Sequence, residues 1–404
     1  MRNKVELLAP AGDLEKLKIA IIYGANAVYI GGKKFSLRAR ASNFTIENIR
    51  EACAFAKEHG AKIYVTMNII PHDEDLDGLE DYLLELEKAQ VTGIIVSSLY
   101  IAKVAQIVAP KLECHLSTQA SVTNSLAIKE YEKLGFTRVV LARETSLEQI
   151  KKIKEKVNAE LEVFIHGGLC VSYSGRCMLS NHLTNRDANR GGCAHSCRWN
   201  YDLYDGDNKI NPEGFYFNIG SKDLVGVRHL FSLLDIGVAS LKIEGRMKSL
   251  YYIATVVRCY KQLIDKYYEY VDNSVDLKGI DLEYFYKEIG KAENRLMSIG
   301  FFDGAPTCNE QLYNIRSETP TKEFIGIVLD YDEKTNIATI EQRNYFELND
   351  KVEFFGPTLE NTETTITELY DENFTPIEVA RHPLQILKIK VPFELKKYDM
   401  IRKI

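Results

Sequence analysis

The sequence predicts an α/β fold: a closed (β/α)8 barrel of the TIM type with a Cys-rich insertion after strand seven, then a small C-terminal all-β barrel domain. In the first half, short β-branched runs alternate with amphipathic helical stretches about every 25 residues, as in a parallel sheet. Eight such strands suit a closed barrel. Beyond residue 322 only short strands separated by turn residues follow.

The strands and helices of the barrel are predicted from these runs. The strands are Val5–Leu8, Ala27–Ile30, Lys62–Met67, Gly93–Ser97, Glu113–Ser117, Arg138–Leu141, Glu162–Ile165 and Ser240–Ile243. The helices between them are Asp13–Tyr23, Ile46–His59, Asp77–Lys88, Ala102–Val108, Ser125–Leu134 and Ser146–Val157. Gly24 and Gly60 each separate a helix from the next strand, where a left-handed residue commonly ends a helix. A doubly wound open sheet is the alternative arrangement.

The long gap between strands seven and eight is an insertion of about residues 168–216. Because the loops after the strands form the active face of a barrel, we expect the insertion to cap the barrel mouth. We predict a barrel domain over 1–300, a linker over 301–321 and a β-domain over 322–404. A long helix, Leu250–Tyr270, follows strand eight, and its tyrosines are expected to pack against the barrel.

The C-terminal domain contains five predicted strands. They are Phe324–Tyr331, Asn336–Glu341, Lys351–Phe355, Thr364–Leu369 and Leu384–Val391. Small β-modules of this kind usually bind or position a partner, so we expect the chemistry to lie in the barrel.

The composition is that of a globular protein: of 404 residues, 45% are apolar and 27% are charged. No apolar run approaches the length of a membrane span, and the N-terminal segment does not resemble a signal peptide. We therefore expect a cytoplasmic protein, in which thiols stay reduced. A net charge of −6 argues against general nucleic-acid affinity but leaves room for a local basic surface.

Cysteine clustering is the strongest chemical signal. Four of the eight cysteines, Cys170, Cys177, Cys193 and Cys197, fall within 28 residues, and the others are scattered singly. Thiolates from one segment can hold a soft metal or an iron–sulfur cluster. Gaps of six, fifteen and three residues differ from the two close pairs of zinc ribbons, so the spacing favours a cluster, with zinc as the alternative. Disulfides or buried thiols without a role are the structural alternative.

Polar residues at the predicted strand ends form a second candidate site. They are Asn68, Ser97, Ser98, Gln119, Arg143, Glu144, His166, Lys242, Glu244 and Arg246. We predict catalytic roles for His166, Lys242 and Glu244, since alternation sends Lys242 and Glu244 to one side of a strand. We predict substrate binding by Asn68, Gln119, Arg143, Arg176 and Arg246. A structural ion-pair network, with His166 as a hydrogen-bonded structural residue, is the alternative.

The Cys-rich segment is also basic. Between Cys170 and Tyr201 it has four arginines and one aspartate. Such a rim could bind a small carboxylate or an RNA backbone, or its arginines could pair with acids elsewhere. The sequence contains no Gly-x-Ser-x-Gly, His-Glu-x-x-His or Gly-rich phosphate loop, which argues against the common hydrolase and nucleotide-binding sites.

Several motifs together resemble one family. They are Glu6–Gly12, Gly24–Gly31, Glu162–Cys170, Tyr173–Ser180, Asn185–Asp187, Gly192–Cys193, Cys197–Trp199, Ser221–Asp223 and Lys242–Arg246. These residues are similar to the signature of the collagenase-like peptidase family, and the resemblance extends over nearly the whole chain. It is closest to the tRNA hydroxylation branch. Where many relatives have His-Gly-Ala, this chain has His166-Gly167-Gly168.

The resemblance implies an activity and a cofactor. Members of that branch make 5-hydroxyuridine at the wobble position of tRNA, using prephenate and without needing oxygen. Other branches hydroxylate a cytidine of 23S ribosomal RNA or a ubiquinone precursor. Members carry a [4Fe–4S] cluster, and by resemblance Cys170, Cys177, Cys193 and Cys197 are its ligands here, with Cys197 at the position that varies most among branches.

Three functional hypotheses follow. The first is an RNA-modifying enzyme that binds tRNA and a small carboxylate such as prephenate. The second is a metal-dependent peptidase, as the family name suggests. The third is a partner subunit that works with a paralogous chain, as in paired family members.

Overall fold

The structure is a computed structural model that describes residues 4–37, 43–273, 276–293, 295–312 and 324–404. Its contacts divide the chain into two compact units: Met1–Gly290 with Arg295–Glu318, and Lys291–Asn294 with Thr319–Ile404. Residues 313–321 of the predicted linker lie outside the described residues, and the predicted domain boundaries stay a prediction. In the described part of the predicted linker, Phe302 and Leu312 are buried.

The first unit is the predicted closed barrel. Its eight parallel strands are β1 (Glu6–Pro10), β2 (Ala27–Gly31), β3 (Lys62–Met67), β4 (Gly93–Val96), β5 (Glu113–Leu116), β6 (Arg138–Val140), β7 (Glu160–Gly167) and β11 (Ser240–Ile243). Each strand pairs with the next in this order, and β11 pairs with both β7 and β1, which closes the ring. The closure excludes the open doubly wound sheet.

Helices follow the first six strands, as predicted. They are α1 (Leu14–Ile22), α2 (Ile46–Glu58), α3 (Leu79–Lys88), α4 (Leu99–Val108), α5 (Ser125–Lys133) and α6 (Leu147–Lys154). Side-chain caps set several starts: Asp13 accepts the Lys16 N–H, and Thr45 and Ser146 form capping boxes. The short helix α7 (Leu179–Thr184) lies in the Cys-rich insertion.

The region after β7 contains elements that the sequence patterns did not predict. The two-residue strands β8 (Tyr204–Asp205) and β9 (Asn208–Lys209) form a hairpin in the insertion. Strand β10 (Asp223–Val225) pairs antiparallel with the end of β7, and β12 (Met297–Ser298) pairs with β10. Helix α8 (Leu230–Ile236) precedes β11. Strands of two or three residues are too short to show a period in sequence.

Two longer helices follow β11, α9 (Leu250–Asn273) and α10 (Leu282–Gly290). Tyr251, Tyr252 and Tyr260 on α9 are almost fully buried, so these tyrosines pack as expected. Within the described ranges, no helix is long and apolar enough to cross a membrane.

Charged side chains fill part of the barrel interior. Lys242 Nζ donates to Glu162 Oε1 at 2.6 Å, and Arg138 Nη1 donates to Glu162 at 3.3 Å and to Glu6 at 2.5 Å. Tyr64 OH donates to the second oxygen of Glu6 at 2.8 Å. Lys242, Glu162 and Arg138 are 4%, 0% and 3% exposed. Two cations and two carboxylates therefore neutralise one another away from water, which a buried charge requires.

The second unit is all β, as predicted, and forms a curled antiparallel sheet. Its strands are β13 (Phe324–Asp332), β14 (Ile337–Gln342), β15 (Phe346–Glu347), β16 (Lys351–Phe355), β17 (Thr362–Thr365), β18 (Leu369–Asp371), β19 (Val379–Ala380), β20 (Ile386–Lys390) and β21 (Met400–Lys403). Seven of them form the main sheet in the order β17-β16-β21-β13-β14-β20-β18. The single strand predicted over Thr364–Leu369 was wrong, because β17 and β18 lie at opposite edges. The central strand β21 was not predicted.

Breaking the buried charge pair should destabilise the barrel. Burial raises the pKa of Glu162, but Lys242 and Arg138 outweigh that effect and hold it below its usual range. We expect Glu162→Gln to lower the free energy of unfolding by about 3–5 kcal/mol at neutral pH, because Lys242 is left buried without its carboxylate. The stabilisation from a lowered carboxyl pKa is lost as the pH falls. The difference in unfolding free energy between Glu162→Gln and wild type should therefore become smaller at acidic pH.

Urea unfolding followed by helical circular dichroism measures this effect, because the α-helices of the described residues all lie in the first unit. The matched control is Glu148→Gln, which breaks an exposed pair with Lys152 and should cost under about 1 kcal/mol. Equal losses for the two variants would contradict a special role for the buried pair.

Candidate functional site at the barrel mouth

Cys170 and Cys177 lie on a loop that leaves the end of β7. The loop is fixed to the barrel through Ser174, whose N–H and hydroxyl donate to the two oxygens of Glu144 at 3.0 and 2.9 Å. The carbonyl of Ser174 accepts the hydroxyl of Ser121, which follows β5. Two loops at the C-terminal ends of barrel strands therefore position the first cysteine pair.

Cys193 and Cys197 lie on a second loop that packs beside the first. The Ala194 N–H donates to Ser180 Oγ at 3.0 Å, and Tyr201 OH donates to the carbonyl of Ser196 at 2.6 Å. The segment that joins the two cysteine pairs is tied across the mouth, because Arg190 donates to Asp75 at 2.7 Å after β3. The insertion thus spans the mouth, as the sequence predicts.

The four thiols lie close enough to influence one another electrostatically. Burial raises the pKa of Cys170, although it retains accessible surface, and the neighbouring Cys193 and Cys177 raise it further. Burial also raises the pKa of Cys197, and the other three cysteines add to that effect. Arg198 acts in the opposite direction on both groups. Four mutually close thiols beside a cation are a donor set that suits a thiolate-bound metal or cluster.

A site for one metal ion requires several donor side chains that converge on a single point. Within the residues that the structure describes, no group of three or more His, Cys, Asp or Glu side chains is arranged to hold one metal ion. An iron–sulfur cluster would not require its four thiolates to converge on a single atom.

Arg143 and Glu244 form the polar centre of the mouth. The Arg143 guanidinium carbon lies 3.6 Å from the centroid of the Phe164 ring, and Nη2 lies 3.7 Å from Glu244 Oε2. Tyr29 OH donates to the carbonyl of Ile243 at 3.0 Å and lies 3.4 Å from Glu244 Oε2. Arg143 also lowers the pKa of Cys170 against the effect of burial, so it lies within electrostatic range of that thiol.

Lys242 lies one layer deeper than Glu244. Its ammonium is 4.6 Å from the centroid of the Tyr29 ring and is engaged by Glu162. Lys242 and Glu244 both contact Tyr29, which fits the predicted alternation on one strand. These two side chains, both predicted to be catalytic, differ in exposure: that of Glu244 is 19% exposed and that of Lys242 is 5% exposed.

Asn68, Gln119 and Arg246 lie on other parts of the barrel end. Asn68 Nδ2 donates to Gln119 Oε1 at 3.3 Å, so these two amides meet. Arg246 is 4% exposed and donates to Ser36 at 2.8 Å, Thr66 at 3.4 Å and Asn43 at 2.8 Å. Such enclosure gives Arg246 the surroundings of a structural residue.

His166 is oriented away from this centre. The register between β7 and β11 shifts so that Phe164 faces Lys242 but His166 faces Ile243, which makes Ile165 an extra residue. A bulge of this kind reverses the side on which the following residue projects. His166 is 1% exposed, and its ring lies 5.8 and 5.6 Å from the rings of Tyr252 and Tyr260 on α9. Its contacts favour the structural alternative, and its catalytic role stays a prediction.

Comparison with known proteins identifies the family. The sequence matches Peptidase family U32 over residues 12–312 and the Peptidase family U32 C-terminal domain over residues 320–402. The chain belongs to peptidase family U32. This agrees with the resemblance to the collagenase-like peptidases that the motifs carry.

Relatives within family U32 have different names. The chain is 50% identical to tRNA hydroxylation protein P1 of Bacillus subtilis, over 99% of this chain and 95% of the relative. It is 32% identical to tRNA hydroxylation protein P of Escherichia coli, over 88% and 86%. It is also 32% identical to a collagenase of Porphyromonas gingivalis, over 88% and 87%. The family is therefore established, whereas its name alone does not specify the activity.

Several residues of this U32 site were not selected from the sequence. Tyr29, Phe164 and Glu162 are interior strand residues whose importance comes from the side chains on neighbouring strands. Arg198 stands beside Cys197 in a recognisable motif, so its position next to a thiol could have been inferred. Arg176, which was selected, is exposed and donates to Ser121 Oγ at 3.1 Å.

Adjacent glycines before Cys170 should differ in their tolerance of a side chain. Gly167 has φ +99°, and a Cβ atom there would lie 2.4 Å from the carbonyl oxygen of Glu244. At Gly168 the nearest atoms to a Cβ would be 3.5 and 3.9 Å away. We expect Gly167→Ala to cost about 1–3 kcal/mol of unfolding free energy, and Gly168→Ala to stay within about 0.5 kcal/mol of wild type.

Thermal or urea unfolding of the two purified variants checks this expectation. Gly168→Ala is the matched control, because a Cβ atom there would meet nothing closer than 3.5 Å. Similar stability of both variants would show that the end of β7 is not held against the backbone of Glu244.

Proposed function

We propose that this protein is an iron–sulfur enzyme that hydroxylates the wobble uridine of tRNA to 5-hydroxyuridine with prephenate as co-substrate and without oxygen. The observation that carries the proposal is the position of Arg143, which contacts Phe164 and Glu244 and lies within electrostatic range of Cys170. This joins a thiol cluster to an anion site. Full-length relatives that are named for tRNA hydroxylation support the choice of reaction.

The proposed cofactor is a [4Fe–4S] cluster held by Cys170, Cys177, Cys193 and Cys197. All four side chains are thiols, and the protein holds them within mutual electrostatic range. When bound, such a cluster supplies one-electron transfer. Zinc is the alternative ion for the same ligands. Burial raises the pKa of both Cys170 and Cys197, and Arg198 counteracts part of that effect.

Arg143 is the proposed anchor for the co-substrate carboxylate. Its planar guanidinium can donate hydrogen bonds to two carboxylate oxygens side by side, and stacking on Phe164 holds that plane in place. Its side chain is 14% exposed, so a ligand can reach it while much of the water is excluded. Lys242 is a weaker candidate because Glu162 already holds its ammonium at 2.6 Å.

Glu244 is the proposed proton-transfer residue. It lies beside Arg143, with its Oε2 3.4 Å from Tyr29 OH, so a ligand on Arg143 would be within reach of a carboxylate. Asn68 and Gln119 are proposed to orient polar groups of the same ligand, and Arg176 and the other arginines of the insertion to contact the RNA.

A peptidase is the second candidate, because the family name and a 32% identical collagenase favour it. In the structure His166 packs against two tyrosines and His115 contacts Glu113 within the barrel, which are surroundings of structural histidines. Anaerobically purified, metal-replete protein that cleaves gelatin would support this candidate, and an inactive preparation would remove it.

Two further alternatives concern the reaction partner. Hydroxylation of ribosomal RNA or of a quinone precursor would use the same cluster and anion site on another substrate. A paralogous partner subunit predicts co-purification with a second U32 chain. Nucleoside analysis of tRNA from a deletion strain distinguishes the other substrates from the main proposal, because the tRNA should lack 5-hydroxyuridine and regain it on complementation. Hydroxylation by the purified chain alone would exclude the need for a partner subunit.

Cluster binding gives the most direct test of the cofactor. We expect anaerobically purified protein to contain about four irons and four sulfides per chain, and Cys193→Ala to lose them. Cys308→Ala is the control, because Cys308 is also exposed but lies outside the insertion. Iron and sulfide analysis with a visible spectrum measures both. Stoichiometric zinc, or iron that survives Cys193→Ala, would contradict the proposed cofactor.

Carboxylate binding tests the anchor independently of turnover. We expect Arg143→Gln to weaken prephenate binding by about 10- to 150-fold, as for the loss of a charged hydrogen-bonding partner, and Arg143→Lys to recover part of it. Isothermal titration calorimetry measures the dissociation constant. Arg228→Gln, which removes an exposed arginine on another part of the barrel, is the control. Unchanged binding by Arg143→Gln would exclude this residue as the anchor.

A further inference from the structure

The Cys-rich insertion divides into two parts of opposite charge. Residues 170–201 contain four arginines and one aspartate, a net charge of +3. Residues 202–216, which include the β8–β9 hairpin, contain four acidic residues and one lysine, a net charge of −3. The positive part includes all four clustered cysteines, so the charge is concentrated where the proposed chemistry takes place.

Among the residues that the structure describes, most of this positive charge has no carboxylate within ion-pair distance. Arg190 is neutralised by Asp75 and Glu74. Arg176 donates to the neutral hydroxyl of Ser121. Within the described part of the chain, neither Arg176, Arg186 nor Arg198 forms an ion pair with a carboxylate. Three arginines around the cysteines therefore present charge that an external anion can neutralise.

Two aromatic side chains are exposed within this basic part. Tyr173 is 50% exposed and lies between Cys170 and Cys177, and Trp199 is 44% exposed and follows Cys197 by two residues. Both are anchored through the backbone: the Tyr173 carbonyl accepts the Arg176 N–H at 2.9 Å, and the Trp199 N–H donates to Ser196 at 3.2 Å. The chain thus presents two aromatic rings on hydrogen-bonded turns next to Arg176 and Arg198, which form no ion pair with a described carboxylate.

We infer that Tyr173 and Trp199 are a base-stacking surface for a single-stranded RNA loop, which the neighbouring arginines hold by its phosphates. Stacked aromatics next to cations are the means by which proteins bind unpaired bases, whereas a paired helix hides the base faces. This inference rests on the proposed function, since the RNA is taken to be the substrate. It adds that the insertion, in addition to holding the cluster, brings the unpaired base to it.

The acidic part of the insertion provides an internal comparison. Tyr204 and Phe215 are 59% and 52% exposed, so they are as available as Tyr173 and Trp199. Their segment has a net negative charge and would repel phosphates. If exposure alone determined RNA binding, all four aromatics would contribute, whereas the charge distribution assigns the role only to Tyr173 and Trp199.

Fluorescence anisotropy with a labelled anticodon stem–loop RNA tests the surface on the full-length, cluster-loaded protein. We expect Tyr173→Ala and Trp199→Ala each to weaken binding by about 5- to 150-fold, and Tyr173→Phe and Trp199→Phe to stay near wild type. Tyr204→Ala and Phe215→Ala should bind like wild type. Arg176→Gln should reduce the slope of log affinity against log salt by about 0.7. A fully paired RNA should bind weakly to all.

Several results would overturn the inference. One is normal loop binding by both Tyr173→Ala and Trp199→Ala. The others are an equal loss of binding for Tyr204→Ala and Phe215→Ala, an equal loss for the phenylalanine variants, or equal affinity for paired RNA. Iron content and the thermal midpoint of each variant show whether a loss comes from damage to the cluster or the fold, and a loss that follows either of them counts against the surface.

The binding assay requires no turnover, which separates this inference from the proposed reaction. The protein could bind the stem–loop through Tyr173 and Trp199 but form no 5-hydroxyuridine. That result would support the stacking surface and contradict the proposed reaction. Normal 5-hydroxyuridine formation with normal binding by both alanine variants would retain the reaction and reject the surface.

Discussion

The buried pair between Lys242 and Glu162 is the interaction on which the barrel end depends. It joins β11 to β7 where the ring closes, and Arg138 and Glu6 continue the network to β6 and β1. An isolated charge at such depth would cost several kcal/mol, so the four groups must stay together. Because Glu244 follows Lys242 by two residues and Phe164 follows Glu162 by two, the same pair fixes where the two residues that contact Arg143 lie.

The cysteine segment depends in turn on the rigid mouth beneath it. Its two loops contain little regular structure, and they are held by hydrogen bonds and ion pairs to barrel loops, such as Ser174 to Glu144 and Arg190 to Asp75. Loops placed on a rigid scaffold in this way commonly carry function. The barrel therefore supplies precision to four thiols that the insertion alone could not hold in a fixed arrangement.

The sequence was sufficient for the barrel and for the position of the insertion, because strands such as Lys62–Met67 and caps such as Thr45 have strong local signals. It was insufficient where the result depends on distant residues. The bulge at Ile165 turns His166 towards α9, and nothing local to His166 reveals it. The enclosure of Arg246 by Ser36 and Thr66 is equally non-local. Cysteine spacing indicated the candidate cluster because its four residues are close in sequence.

The charge distribution gives the strongest argument for how the parts of the mouth divide their work. Interior cations are neutralised: Lys242 has Glu162, and Arg138 has three carboxylates. Arg143 is partly neutralised by Glu244 at 3.7 Å, and Arg176 at the rim contacts only a neutral hydroxyl among its side-chain partners in the described residues. Uncompensated positive charge thus increases from the interior to the rim. That gradient suits a small anion held between the barrel and the cysteines, with a larger polyanion on the outer surface.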